Sequence, residues 1–111
     1  MKPHIPFSSF LELDLRVGEV VTAERVEGSV KLLKLTVDMG EEHKMVTILT
    51  GMAEYYAPEE FINKKYVFVA NLEPRKMMGL ESQGMLLSVD GTDRPTPLEV
   101  SREMANGHIV R

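Results

Sequence analysis

Cysteine and tryptophan are absent from this 111-residue chain, long apolar runs are missing, and positive charge is outnumbered. Without cysteine there is no disulfide framework, no thiol nucleophile and no thiolate-held zinc or iron–sulfur centre. No stretch nears the roughly 18 apolar residues of a membrane-spanning helix. The opening Met1-Lys2-Pro3-His4-Ile5-Pro6-Phe7 has no apolar core of a secretory signal, so a cytoplasmic location is expected. Lys and Arg number 13 against 17 Asp and Glu, net −4, with no block of like charge. That balance argues against a protein wrapped in nucleic-acid phosphate; any anion site has to be a small patch assembled by the fold. What is present, 43% hydrophobic and 27% charged residues, suits one ordinary globular domain large enough to bury a core.

The pattern along the chain is short β-type runs punctuated by turn residues. In the first run, Leu13 to Val26, Leu13, Leu15 and Val17 alternate with polar residues until Gly18 interrupts and the phase blurs at Val20-Val21. A glycine with a phase change marks a bulge or sharp bend, as a strand needs at a barrel corner. Leu33 to Met39 has strict period 2, with Leu33, Leu35, Val37 and Met39 inward, and Gly40-Glu41-Glu42 turns it into Lys44 to Thr50. Glu54 to Ile62, with Pro58 early, is the one helical segment expected. Lys65 to Leu72 is apolar on both faces and must be covered on both, and a long loop from Glu73 to Gln83 leads to Met85 to Val89. Five strands with one short helix between the third and fourth predict an all-β, five-stranded Greek-key barrel of OB type. A sandwich needs about seven strands. The tail from Pro95 to Arg111 carries Leu98, Val100, Met104, Ile109 and Val110, so it covers this barrel or a partner's, most simply as edge strands.

No catalytic constellation is found. His4, His43 and His108 stand apart without ligand-spaced neighbours, so neither a metal nor a cofactor is expected. Ser82-Gln83-Gly84 lacks the preceding glycine of a nucleophile elbow, because position 80 is Leu, and no phosphate-cradling glycine loop occurs. Binding fares better. OB folds use the face of strands 2 and 3 together with the loops joining strands 1–2 and 4–5. The first of those loops ends in Lys31 and the second carries Arg75-Lys76, with Lys34 and Lys44 able to extend the patch. The seven aromatics are Phe7, Phe10, Tyr55, Tyr56, Phe61, Tyr66 and Phe68, and none falls between Lys31 and Thr50. A base-stacking platform for single strands is therefore missing, whereas recognition of a folded RNA by phosphate and shape is compatible.

The stretches Asp14-Leu15-Arg16-Val17-Gly18, Lys31-Leu32, Val37-Asp38-Met39-Gly40, Thr50-Gly51 and, above all, Val69 to Leu87 with Asn71-Leu72-Glu73-Pro74-Arg75-Lys76 and Ser82-Gln83-Gly84-Met85 form one pattern. It resembles the tRNA-binding domain found at the C-terminus of many methionyl-tRNA synthetases. The same domain occurs in free-standing tRNA-binding proteins, in the chaperone CsaA and in the endothelial monocyte-activating polypeptide. The resemblance runs from residue 10 to about 110. It implies a non-catalytic module spanning 1–111, with an N-terminal arm over 1–12 and a dimer-forming extension over 95–111, that grips the corner of L-shaped tRNA. Starting at Met1 with no catalytic domain, the chain resembles a detached β subunit that anchors tRNA for a separate synthetase chain.

Carried over by position, the implied tRNA contacts are Lys31, Asn71, Arg75, Lys76, Ser82 and Met85. Lys31, Arg75 and Lys76 would meet phosphates, Asn71 and Ser82 would bond RNA or brace the loop, and Met85 would give apolar contact or packing. Arg16 reads as structural. Two departures weaken the patch: Val26-Glu27-Gly28-Ser29-Val30 replaces a more polar loop of many members, and Glu73 stands where a basic residue is common. A CsaA-like dimeric chaperone for unfolded polypeptide is the competing reading, favoured by eight methionines, Met77-Met78 among them. A purely structural dimerisation subunit is a third.

Overall fold

The computed structural model describes residues 1–111. After a one-turn helix α1 (Phe7–Phe10), β1 (Leu15–Arg25), β2 (Leu33–Asp38) and β3 (Met45–Thr50) form an antiparallel meander, with the one-turn α2 (Gly40–His43) between the last two. A 3₁₀ turn at Pro58–Glu60 precedes β4 (Lys65–Val69). There follow β5 (Arg75–Met77), β6 (Leu80–Ser82), β7 (Met85–Leu86), β8 (Ser88–Asp90), β9 (Pro95–Pro97), β10 (Glu99–Val100) and β11 (Ile109–Val110). The main sheet runs β10-β4-β1-β2-β3, with β7 on β4 and β11 on β1. This is an all-β, OB-like arrangement.

Strand β1 organises it. Leu15 to Glu19 pair with β4, while Glu19 to Arg25 pair with β2 on the other edge. Between Val20↔Val37 and Thr22↔Thr36 the register slips by one residue, leaving Val21 as the extra, exposed residue of a bulge. The bend expected from the blurred phase is thus located at Val21 rather than at Gly18. Gly18 has a different cause: a Cβ there would lie 2.6 Å from Met39 Sδ, 2.7 Å from Val37 Cγ1 and 2.8 Å from Phe68 Cδ2. Only glycine lets three core side chains meet over that point.

The alternation in β2 is realised as read, with Leu33, Leu35 and Val37 fully buried beside Val20, Ile48, Phe61 and Phe68. Each such side chain contributes about 1.5–3 kcal/mol through burial. All five residues of β4 are buried. The tail lies against β4: Val67 N–H donates to Leu98 O at 3.0 Å, and Lys65 Nζ donates to Met104 O at 2.6 Å. Further along, β11 takes the edge of β1 beside Leu15 and Arg16. The tail therefore adds edge strands to its own sheet, β10 on β4 and β11 on β1.

Two elements are shorter or more structured than the sequence pattern suggests. The helix expected over 54–62 contracts to the 3₁₀ turn, held by Glu60 Oε2 accepting from Ala57 N–H at 2.7 Å. The loop expected over 73–83 contains the β5–β6 hairpin. No ladder closes the sheet. The free edge of β3 instead meets residues 82–83: Gln83 N–H donates to Thr47 O at 2.8 Å, Thr47 N–H to Gln83 Oε1 at 2.9 Å, and Leu49 N–H to Ser82 Oγ at 3.0 Å. No helix is long and apolar enough to cross a membrane.

Candidate nucleic-acid interface

Two segments build the candidate site, the loop between β1 and β2 and the β5–β6 hairpin. In the loop, Val26 is buried as an anchor and Gly28 turns the chain at φ 85°. Ser29 Oγ accepts from the N–H groups of Lys31 and Leu32, both at 3.2 Å, and Lys31 O accepts from Ala53 N–H at 2.9 Å. The Lys31 backbone is thereby held on both sides while its side chain is exposed and free of any ion pair.

The hairpin turns on Met78 (φ 52°) and Gly79 (φ 77°), two residues in the left-handed region as a tight two-residue hairpin requires. Its register, Arg75↔Ser82, Lys76↔Glu81 and Met77↔Leu80, sorts the side chains by face. Met77, Leu80 and buried Ser82 turn toward the barrel, while Lys76 and Glu81 stand on the outer face. Arg75 shares the face of Ser82 yet is exposed at the hairpin's open end. The neighbouring cations Arg75 and Lys76 therefore project to opposite faces of the ribbon, and Lys76 lies opposite an acid.

The hairpin tip reaches the loop. Met78 Cε would be 3.3 Å from a Cβ on Gly28, and Met78 and Leu80 line a cleft of about 410 Å³ with Glu24, Arg25, Glu27 and Lys34. Lys34 is engaged by Glu24 across the strands at 3.6 Å, and Lys44 sits at the far end of the β2–β3 hairpin from Lys31. Of the two lysines offered as an extension of the patch, Lys34 lines the cleft while paired with Glu24, and Lys44 lies away from it. Arg25, which the sequence pattern did not single out, lines the same cleft and donates from Nη1 to Ala53 O at 3.1 Å.

The polar members of the implied set are occupied by the chain itself. Asn71 Oδ1 accepts from Asp14 N–H at 2.8 Å and Asn71 Nδ2 donates to Glu12 O at 2.7 Å, tying the N-terminal arm to the end of β4. Ser82 Oγ, besides accepting from Leu49, donates to Gly84 O at 3.1 Å. Met85 is half-exposed on β7, whose next residue, Leu86, enters the core.

Arg16 is spent structurally as well: Nε on Asp14 Oδ1 at 2.6 Å, Nη2 on Glu42 Oε2 at 2.8 Å, and Nη1 on Gly107 O at 3.0 Å. His43 Nε2 adds a bond to Asp14 Oδ2 at 2.8 Å. Burial pushes the Asp14 carboxyl up, but the hydrogen bonds from Arg16 and His43 outweigh it and hold the group below its ordinary 3.8. No three His, Asp or Glu side chains gather in a group that could hold a metal ion.

Among known proteins, the family described as "Putative tRNA binding domain" matches residues 15–109. The methionine–tRNA ligase of Methanothrix thermoacetophila is 48% identical over 110 residues, which is 99% of this chain but 16% of the ligase. The chain thus spans about a sixth of the length of the curated relatives it matches. In structure it is similar to the MetRS-related protein from Pyrococcus horikoshii, with a TM-score of 0.92, 37% identity, and coverage of 99% of this chain and 100% of that one. It is also similar to the chaperone CsaA from Bacillus anthracis, with a TM-score of 0.86, 29% identity, and coverage of 98% and 100%.

Proposed function

The chain belongs to the tRNA-binding-domain family, and from that premise we propose that it binds folded tRNA through the loop of 26–32 and the 75–82 hairpin, without performing chemistry itself. The observation that carries this reading is the contact between those two segments, which both carry exposed cations free of ion pairs: Lys31 in the loop, Arg75 and Lys76 in the hairpin. Those three cations meet phosphates. Asn71 and Ser82 act through the backbone they brace, and Met85 supplies apolar contact beside the hairpin's base. No aromatic stands on β2 or β3, so bases are not stacked there and selection rests on RNA shape.

The module serves a methionyl-tRNA synthetase in the cytoplasm, raising the local tRNA concentration for a catalytic chain. It does so as a homodimer. Ile5, Phe7 and Leu11 of the arm and Ile109 of the tail leave apolar surface that a second copy covers.

Filter retention of a mixed tRNA pool tests the site. A Lys31→Ala/Arg75→Ala/Lys76→Ala variant loses affinity at low salt, and its log–log salt slope becomes shallower by about 2, at roughly 0.7–0.9 per lost phosphate contact. Unchanged affinity and slope in the triple variant would overturn the assignment. Capture of unfolded polypeptide is a second reading, favoured by the exposure of Met45, Met78 and Met85. A reduced, unfolded polypeptide that competes with tRNA for the protein would support it.

A further inference from the structure

A second cavity, about 270 Å³, lies between the 3₁₀ turn, the start of β4 and the strands β9 and β10. None of its lining residues belongs to the 26–32 loop or the 75–82 hairpin. Its floor is a row of aromatic rings: Tyr56 and Phe61 at 5.6 Å between centroids, then Phe61 and Tyr66 at another 5.6 Å. The two ends of that row differ in charge. At one end the Arg94 guanidinium lies 4.7 Å from the Tyr56 ring centroid, making no ion pair. At the other end Tyr66 is buried (4% exposed), and Glu99 sits directly across from it in the β4–β10 ladder.

The Tyr66 hydroxyl is the most informative atom. Tyr56 spends its own hydroxyl on Pro95 O at 2.8 Å, but Tyr66 makes no hydrogen bond within the chain. Glu99, Glu60 and Tyr56 act on it electrostatically, and Glu60 has committed only Oε2 to the backbone. The chain's buried side-chain atoms without a partner are Ser88 Oγ and Asn106 Oδ1, so the Tyr66 hydroxyl is not an orphan: it opens to the cavity, where solvent or a guest can reach it. Lys64 lines the same cavity and is also free of ion pairs, so two carboxylates are balanced by two cations.

We infer that this cavity binds a small zwitterion with an apolar body, the chemistry of an amino acid or a dipeptide. The ligand's ammonium sits among Tyr66 Oη, Glu60 and Glu99, its carboxylate meets Arg94, and its side chain covers the Phe61 edge of the aromatic row. An overall neutral lining that carries both signs favours a dipolar guest over a simple anion or cation, since either of those would leave one pair of like charges unanswered. The apolar floor supplies the remaining affinity.

The test is titration of the isotope-labelled full chain, followed by amide chemical shifts, with L-phenylalanine and with glycyl-L-phenylalanine. N-acetyl-L-phenylalanine and L-phenylalaninamide, each lacking one charge, run in parallel. Saturable shifts at Tyr66 and Arg94–Thr96 are expected with at least one zwitterion, and the tighter of the two fixes the preferred length. Capping either charge weakens binding about fivefold or more, and Tyr66→Phe, which keeps the ring, weakens it roughly two- to tenfold for one lost hydrogen bond.

Arg94→Gln, on an exposed side chain, abolishes the preference for phenylalanine over its amide while leaving the preference over the N-acetyl form. The backbone spectrum of each variant reports directly that it is folded. Absence of saturable shifts with both zwitterions, equal binding of the capped compounds, or indifference to both substitutions would overturn the inference.

Discussion

Ser82→Ala separates a residue that touches RNA from one that holds the hairpin in place. The Ser82 hydroxyl bridges two backbone segments, accepting from Leu49 N–H at 3.0 Å and donating to Gly84 O at 3.1 Å. At 1% exposure it leaves no room for water to take over. Alanine would strand a buried N–H on β3 and remove the donor to Gly84, and one unsatisfied buried donor costs about 1–3 kcal/mol. With an unfolding entropy near 2.1 cal/mol/K per residue, 2 kcal/mol corresponds to a fall of about 9 °C in Tm for a chain of this length. Thermal and urea unfolding read the loss directly, with an unchanged urea m-value because the exposed surface is the same. Binding to tRNA then weakens only through a looser hairpin, by less than the Lys31/Arg75/Lys76 variant does. A variant as stable as the parent that nonetheless lost tRNA binding tenfold or more would refute the reasoning and place Ser82 against the ligand.

Further consequences concern packing and pH. Gly18→Ala sets a methyl group within 2.6–2.8 Å of Met39, Val37 and Phe68, and overpacking of this kind costs about 1–3 kcal/mol in unfolding free energy; neutrality would show that the core yields more easily than its geometry implies. Asn71→Ala releases Asp14 N–H and Glu12 O, so the Asp14 amide exchanges faster while β2 and β3 amides do not; uniform acceleration would contradict a local brace. The Tyr66 phenol is pushed up to about 12 by burial and then by the charges of Glu99, Glu60 and Tyr56, against an ordinary 10.0. The unfolded chain therefore loses this proton first, so stability falls as pH rises from about 10 to 12, and Tyr66→Phe flattens that slope. Asp14 has the opposite sense: its folded-state pKa lies below 3.8, so its contribution is complete above the ordinary carboxylate range and is lost as pH falls below it. Asp14→Asn flattens the acid limb, and an unchanged limb would show that its bonds to Arg16 and His43 do not matter for folding.

Period-2 alternation and turn residues are enough to read β1 to β3, because those strands bury one face in a shared core and selection of apolar residues follows the pleat. The full burial of β4 is legible instead from its apolar residues on both faces, although the pattern does not say whether this chain's tail or a partner's covers it. Short elements were not legible. The β5–β6 hairpin turns on Met78 at φ 52°, and methionine carries no turn signal; its partner Gly79 alone did not suffice. The Pro58 segment reads as helix from its N-terminal proline and acids, but only three residues keep the 3₁₀ form. For the candidate site, nearness of the 26–32 loop and the hairpin followed from topology. The division of Arg75 and Lys76 between two faces did not, since it depends on a hairpin the sequence pattern hid. The engagement of Lys34 by Glu24 likewise needs the cross-strand register that the bulge at Val21 sets.

The central claim is shape-selective tRNA binding through a small basic patch, and competition across a salt series tests it most directly. A labelled tRNA pool is bound to the full chain, and an unstructured RNA of equal length is added as competitor at each salt concentration. About three phosphate contacts per subunit give a log–log slope on the order of −2 to −3, doubled if both halves of a dimer engage one tRNA. The account predicts that slope together with tRNA retention in the face of excess unstructured RNA. Equal displacement by the unstructured RNA, or binding indifferent to salt, would contradict it.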